Sequence, residues 1–294
     1  MHRIDGPGAT VDHTFTEGDP VGGVQATVVS AAWLNDVQEE LMSVLAGAGI
    51  EPVKGVRDQV LKSVRTISLT PTVKRFTSSG SFTVPEGVTT LYISGCGGGG
   101  GGAGGTGNHI QGAAAPSGGG GGAGKAEIGL PLNVVPGQVL SIRIGTGGLG
   151  GERGIPGGTE PGDGTDGGDT LVGSILTLAG GKGGTRGMTA PNGAYSGGKG
   201  GVGFPHGGSG TDGTPAIDRA SHTGLSGAGA SGPFGGGGLG QRSGIPQGQM
   251  SNGLEGLSAS GFGAGGGGGG SAYINISPGG RGGNGAPGFL LIRW

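Results

Sequence analysis

The sequence predicts a small helical N-terminal region followed by a glycine-rich domain of β-strands and irregular segments, with its glycine runs in the polyglycine II conformation. The prediction depends on three observations. The chain has 294 residues, 84 of them glycine, and most of these glycines follow Ser94. Long glycine runs recur along that part. Apolar segments typical of β-strands alternate with the runs, at residues 89–94, 139–144, 175–179 and 289–294.

The longest glycine runs cover residues 95–105, 118–124, 235–240 and 261–270. Glycine disfavours helices and ordinary sheets, and serine does not accompany glycine in these runs as it does in flexible linkers. The ordered alternative is an extended left-handed helix with about three residues per turn and no internal hydrogen bonds. Every backbone N–H and C=O then needs a neighbouring chain as its partner. The runs therefore predict a bundle of extended glycine helices, anchored by the strand segments.

Four regions follow from the composition: an extended arm at 1–27, a helical region at 28–70, a β-hairpin linker at 71–94 and the glycine-rich domain at 95–294. Ser30 is a suitable N-cap, and Gly47 and Gly49 end the first helix. Val56, Val60, Leu61 and Val64 predict a second, shorter helix. Two short helices have too little core to fold alone. We expect them to oligomerise or dock through the apolar face of the first helix, which carries Trp33, Leu34, Val37, Leu41, Val44 and Leu45.

Three hairpins are expected from alternating or apolar strand segments around turns. They cover residues 80–94, residues 125–145 with a turn at Pro136 and Gly137, and residues 169–180.

Charge and cysteine content exclude several classes of protein. The net charge is −2, so a basic footprint for nucleic acid is absent. The single cysteine, Cys96, cannot form a disulfide within the chain and is expected as a small buried residue. No signal peptide and no apolar stretch of about 20 residues is present, which predicts a protein made in the cytosol without membrane insertion.

No cofactor, metal or catalytic residue is predicted. Gly-x-Gly-x-x-Gly recurs by chance, without the strand-to-helix context of a dinucleotide site. His2 and His13 have no acidic or cysteine partner at ligand spacing. Asp163, Asp166 and Asp169 recur every third residue, as a calcium loop could, but EF-hand spacing and its final glutamate are missing.

Two stretches resemble parts of bacteriophage proteins. Residues 6–52, and specifically ATVV-x-x-x-WLN-x-VQEEL at 26–41, resemble the tail-attaching N-terminus of tail fibres of tailed phages and prophages. FTSSGSFTVPEGVTTLYISGCGGGGGGAGG at 76–105, with PGQ at 136–138 and the ending GAPGFLLIRW, resembles the glycine-rich distal domain of phage tail fibre and adhesin proteins.

The resemblance implies a structural virion protein, located in the tail and usually a homotrimer. Its N-terminus would bind the tail tip or baseplate, and the glycine-rich region would bind a bacterial receptor such as a pilus, an outer-membrane protein or lipopolysaccharide. A long fibrous shaft is missing, so the fibre should be short. Loops between packed polyglycine helices would contact the receptor. The loop residues with the side chains that interfaces favour are Tyr195, Phe204, His206, Asp218, Arg219, His222 and Arg242.

Two alternatives to a non-enzymatic fibre stay open. A tail-associated depolymerase of capsule or lipopolysaccharide needs two carboxylates facing one groove, for which Glu160, Asp163 and Asp166 are the candidates. A glycine-rich structural protein of the silk or cell-wall type is the other alternative, although it would not need the helical N-terminus.

Overall fold

The structure is a computed structural model that divides into two compact units, Met1–Thr72 and Val73–Trp294. The residues that the structure describes are 2–69, 72–107, 115–189, 195–196, 198–203, 207–215, 224–244, 252–273 and 277–294.

Two helices form the body of the first unit, as predicted. Helix α1 spans Ala31–Gly47, and the Ser30 hydroxyl caps it by accepting a hydrogen bond from the Trp33 backbone N–H at 3.2 Å. The chain leaves the helix through Gly49, whose φ of 66° is in the left-handed region. Helix α2 spans Gln59–Leu69 and packs against α1. The helix hairpin of the predicted fold class is therefore confirmed.

The segment before α1 folds back on itself, whereas the sequence predicts an extended arm. Asp19 and Val24 form an antiparallel bridge. The Trp33 indole donates to the His2 carbonyl at 3.2 Å, and its ring meets Phe15 edge-on with centroids 5.2 Å apart. Ile4 is 2% exposed. The contacts of His2 and Phe15 with Trp33 hold the arm against α1.

Twelve strands are described in the second unit, most of them antiparallel partners in two four-stranded sheets. The sheet orders are β1-β12-β3-β4 and β2-β5-β6-β7, and β8 pairs with β9 and β10 with β11. The strands are β1 Val73–Phe76, β2 Gly80–Thr83, β3 Thr90–Cys96, β4 Ala126–Asn133, β5 Val139–Arg143, β6 Thr170–Val172, β7 Leu176–Leu178, β8 Met188–Thr189, β9 Tyr195–Ser196, β10 Gly235–Gly236, β11 Ser260–Gly261 and β12 Phe289–Arg293.

The two large sheets form a small β-sandwich. Its core takes alternate side chains from both sheets, as the period of two along a strand requires. Ile93 and Leu290 come from the first sheet, Ile142 and Leu178 from the second, and all four are at most 2% exposed. This core anchors the glycine-rich segments, which leave from the ends of its strands.

Two of the three predicted hairpins are wrong. Strand β2 pairs with β5, and β3 pairs with β12 and β4, so neither residues 80–94 nor residues 125–145 form a hairpin. Both connections instead cross from one sheet to the other, and they are bonded to each other: Val84 N–H donates to the Gln138 carbonyl and Gly137 N–H to the Val84 carbonyl, both at 2.9 Å. The hairpin at residues 169–180 is confirmed as β6 and β7.

Within the described ranges, the glycine-rich segments form a bundle of extended helices with three central members and nine outer ones. The central segments are residues 97–106, 117–124 and 263–272. The outer segments are residues 145–154, 162–168, 180–185, 198–203, 207–214, 224–230, 237–242, 253–259 and 279–288. Each outer segment is hydrogen-bonded to the next in chain order, and the last one closes the ring by bonding to the first, for example from Gly282 N–H to the Gly151 carbonyl at 2.9 Å.

The hydrogen bonds of the first central segment repeat every three residues. The N–H groups of Gly98, Gly99 and Gly100 donate at 2.9 Å to three different segments, and Gly101 returns to the segment that Gly98 contacts. The carbonyls of the same glycines accept from three further segments, through Gly181, Gly148 and Gly266. Six neighbours and a period of three are the geometry of polyglycine II, and the φ angles of this segment are negative. The polyglycine II prediction is confirmed.

Close packing is the reason that the interior requires glycine. A Cβ atom on Gly102 would lie 2.1 Å from the Gly267 carbonyl oxygen, and one on Gly101 would lie 2.0 Å from the Leu149 carbonyl oxygen. Side chains larger than those of alanine, serine and threonine are therefore confined to the outer segments.

Candidate interaction surfaces

The bundle has a sheet end, where its segments join the β-sandwich, and an outer end away from it. Thr106 marks the outer end, since its N–H donates to the Pro116 carbonyl at 3.2 Å and its carbonyl accepts from Ala272 N–H at 2.8 Å. Gly198 N–H donates nearby to the Ser117 carbonyl at 2.7 Å. Six connections begin and end there, between residues 106 and 116, 154 and 162, 185 and 198, 214 and 225, 242 and 253, and 272 and 279.

A buried serine cluster ties the segments together at the outer end. The hydroxyl oxygens of Ser243 and Ser271 are 2.7 Å apart, and that of Ser117 is 3.4 Å from each. All three residues are fully buried, and Ser243 also donates to the Gly224 carbonyl at 3.0 Å. Two central segments and one outer segment are thereby fixed where the connections start, which provides a rigid frame for them.

The predicted receptor residues are only partly placed by the structure. Arg242 lies at the outer end, half-buried, with Nη1 donating to the Ser243 carbonyl at 3.4 Å. Tyr195 belongs to β9, in the connection that starts from the outer end at Thr185. The other five lie outside the described residues: Phe204, His206, Asp218, Arg219 and His222.

The flanks of those five residues separate them into two groups. Thr214 and Leu225, which flank Asp218, Arg219 and His222, are bonded to each other at the outer end. The carbonyl of Gly208, two residues after His206, accepts a hydrogen bond from Ala123 N–H at 2.9 Å near the sheet end. The segments around Phe204 and His206 therefore enter and leave at the opposite end of the bundle from the remaining candidates.

The outer end also presents described residues that sequence reasoning missed. Ile155 is 49% exposed and Met188 is 63% exposed. Arg186 links their two connections because its Nη1 donates to the Pro161 carbonyl at 3.0 Å. No spacing rule identifies these residues. Their position directly after the outer ends of glycine segments is the signal that could have found them.

The aspartates at spacing three are explained by the bundle. Asp163 and Asp166 lie on one outer segment and Asp169 lies directly after it, and their carboxylates accept the backbone N–H groups of Arg186, Gly183 and Gly180 at 2.7, 2.9 and 2.8 Å. Among the described residues, no group of three His, Cys, Asp or Glu side chains is arranged to hold a metal ion. The spacing of three residues between these aspartates, which alone could indicate a calcium loop, is the period of the polyglycine II helix.

His2 departs from the sequence analysis, which gave it no acidic partner. Its Nδ1 is 2.8 Å from an Asp36 carboxylate oxygen, and its Nε2 is 3.4 Å from Asp5. This pairing joins the start of the chain to α1.

Helix α1 leaves part of its apolar face exposed. Leu45 is 5% exposed, whereas Leu34 and Leu41 are 54% and 47% exposed; Trp33, Val37 and Val44 are half-buried. Leu34, Val37, Leu41 and Val44 alternate in steps of three and four, the spacing of a coiled-coil seam. Ile4 and Leu45 are the buried apolar residues among those described in this unit, so the two leucines of the seam stay exposed within it.

Neither described helix has the length and apolar character needed to cross a lipid bilayer.

The family model for a glycine-rich domain matches residues 77–294. The chain belongs to this glycine-rich domain family. The match covers nearly all of the β-sandwich and the whole bundle, so the glycine-rich domain is a single fold in which the sheets anchor the polyglycine helices.

One relative is the uncharacterized protein StfP of Escherichia coli (strain K12), which is 37% identical over 75 residues. The matched part is 24% of this chain and 36% of that protein. The match therefore spans about a third of the relative's length.

Proposed function

We propose that this protein is a short bacteriophage tail fibre without enzymatic activity, located in the virion tail, that binds a bacterial surface receptor through the outer end of its glycine bundle. The N-terminal unit attaches the fibre to tail-tip or baseplate proteins and assembles three copies. The receptor is a bacterial pilus, outer-membrane protein or lipopolysaccharide.

The observation that carries the proposal is the convergence of six connections on one end of a rigid bundle. The frame has a nearly constant backbone geometry, because its interior accepts little beyond glycine. The connections differ in length and chemistry, and exposed apolar residues such as Ile155 and Met188 lie among them. Variable loops on a rigid scaffold are the usual arrangement of a binding surface. The resemblance of both regions to phage tail fibres supports the same function.

The N-terminal half of the proposal is supported by the two exposed leucines in the seam of α1. Exposed leucines at coiled-coil spacing favour association with other copies. A unit that buries so few apolar side chains is otherwise marginal.

Binding of the fluorescently labelled full chain to Escherichia coli K12, the organism of the relative, and to a panel of other Gram-negative strains tests the receptor function. We expect saturable binding to at least one strain. Replacing Ile155, Arg186 and Met188 by alanine should lower that binding about tenfold or more, because interfaces concentrate their energy in apolar and arginine contacts.

The matched control replaces Phe204 and His206 by alanine, because their flanks lie at the sheet end. Its binding should equal that of the unchanged chain. Loss of binding in this control but not in the outer-end variant would contradict the proposed site. Absence of saturable binding across the panel, or release of new reducing ends from host polysaccharide, would contradict the function itself.

A further inference from the structure

An apolar groove lies on the first unit, between the C-terminal half of α1 and the segment that leads into α2. Its volume is about 380 Å³, which is within the range of sites that take several side chains of a ligand. Gln38, Leu41, Met42 and Leu45 line it from α1, and Leu41 also belongs to the seam of that helix. The other wall is formed by Pro52, Val53, Lys54, Val56, Arg57, Gln59 and Val60.

The second wall of the groove is held in a fixed shape by Gln59. Its Oε1 accepts the Val53 N–H at 2.7 Å, and its Nε2 donates to the carbonyls of Val53 and Val56 at 3.0 Å each. Three hydrogen bonds from one side chain close the loop before α2 begins. The groove therefore exists before anything binds, which lowers the entropy cost of association.

The lining combines exposed apolar side chains with positive charge. Val53 and Val56 are 56% and 41% exposed. Lys54 and Arg57 are both exposed, and neither forms an ion pair within the described part of the chain. Lys62, just beyond the groove, is by contrast paired with Asp58 at 3.0 Å. Two unpaired cations beside an apolar groove favour a ligand that brings carboxylates next to apolar side chains.

We propose that this groove binds a segment of a different protein that carries two or three large apolar side chains within a few residues of two or more aspartates or glutamates. The proposal rests on the proposed attachment function and names the partner chemistry for it. A second copy of this chain also carries acidic residues beside apolar ones, at Glu39 and Glu40 next to Leu41, so it is the alternative occupant that the light-scattering measurement below distinguishes.

The test is selection of random dodecapeptides against the immobilised full chain, followed by affinity measurement of the enriched sequences by fluorescence anisotropy. We expect a consensus with large apolar residues and at least two acidic residues within one helical turn of them. Enrichment of neutral or basic sequences, or no enrichment, would overturn the proposal.

The double substitution Lys54→Glu and Arg57→Glu should lower the affinity for the selected peptides about tenfold, because two attractive charge pairs become repulsive. Lys62→Glu with Arg65→Glu is the matched control, with the same change of net charge outside the groove, and should change affinity by less than about twofold. If both double substitutions weaken peptide binding equally, the charges act only through long-range attraction, and the proposed binding in the groove is overturned. Light scattering on the first variant must show an unchanged oligomer, since dissociation would identify a second copy as the occupant.

The two proposals fail in different measurements. The Lys54→Glu and Arg57→Glu chain keeps its outer end, so its binding to bacteria should be unchanged. If the chain binds the selected peptides but no bacteria, the groove proposal stands and the receptor function is contradicted. If the chain binds bacteria but selects no acidic and apolar consensus, the receptor function stands and the groove proposal is contradicted.

Discussion

Asp166 and Lys182, on neighbouring outer segments, form an ion pair with 2.6 Å between Oδ2 and Nζ. The other carboxylate oxygen accepts the Gly183 backbone N–H at 2.9 Å. Burial alone would raise the pKa of Asp166, but the hydrogen bonds from Lys182 and Gly183 and the charge of Lys182 outweigh it, so the pKa lies below its usual value. One side chain thus satisfies an outward N–H and neutralises a lysine at the rim of the bundle.

The lowered pKa of Asp166 predicts a loss of stability in acid. Its contribution is present above the unfolded pKa of about 4 and disappears as the pH falls through the lower folded value. Asp166→Asn should therefore cost up to about 1 kcal/mol at neutral pH, the scale of an exposed pair. This loss of unfolding free energy should vanish at about pH 2. Urea unfolding at both pH values measures it.

Lys182→Met is the companion variant for this prediction. It should remove much of the change in the free energy of unfolding between neutral and acid pH, because the hydrogen bond and the charge of Lys182 lower the pKa of Asp166. A cost of Asp166→Asn that grows toward acid pH would show that the carboxylate is not stabilised in its charged form.

Close packing at the centre of the bundle predicts a severe effect of one methyl group. Gly102→Ala places Cβ 2.1 Å from the Gly267 carbonyl oxygen, so two backbones must separate and their hydrogen bonds must lengthen. We expect a loss of about 3 kcal/mol or more, measured by urea or thermal unfolding. Gly232→Ala is the control, because its Cβ would meet only the Ala123 side chain at 3.9 Å. Equal stability of the two variants would contradict the packing of the central segments.

The sequence predicts the class of this fold better than its connections. Helix α1 is readable from Ser30, the apolar spacing and Gly49, because local chemistry decides its ends. The partners of β2 and β3 are not readable, since alternation tells which face of a strand is buried but not which strand lies beside it. That choice is made by the sandwich core, through contacts distant in sequence such as Phe82 with Leu140.

The positions of the glycine segments do have a signal in the sequence. Central segments contain almost nothing larger than alanine or serine, because six neighbours leave no room. Outer segments carry a large or charged residue about every third position, as Asp163, Asp166 and Asp169 do. The proposed receptor residues lack such a signal, because the connections at the outer end have no periodic constraint.

The exposed seam of α1 predicts assembly through the N-terminal unit. Leu34→Asp or Leu41→Asp should convert a trimer of three times 27.8 kDa into a monomer, because each puts charge into the seam. Trp33→Asp should do the same but also disturb the contact with Phe15. Light scattering measures the mass, and circular dichroism checks that α1 remains folded. Ala46→Asp, on an exposed position away from the seam, should stay trimeric; a trimer in the leucine variants would rule the seam out.

Cys96 predicts a loss of stability in alkali. Burial raises the pKa of its thiol to about 11, more than a backbone hydrogen bond with Phe289 lowers it. The unfolded thiol ionises with its ordinary pKa of 9.0, so the contribution of the neutral thiol to stability is fully present well below that pH and is lost as the pH rises toward the folded pKa. At about pH 10 the unchanged chain should lose on the order of 1 kcal/mol that Cys96→Ala does not lose. Urea unfolding of both chains at neutral and alkaline pH makes the comparison. Parallel losses in the two chains would mean that the thiol is not buried in its neutral form, and rapid alkylation of the folded protein would lead to the same conclusion.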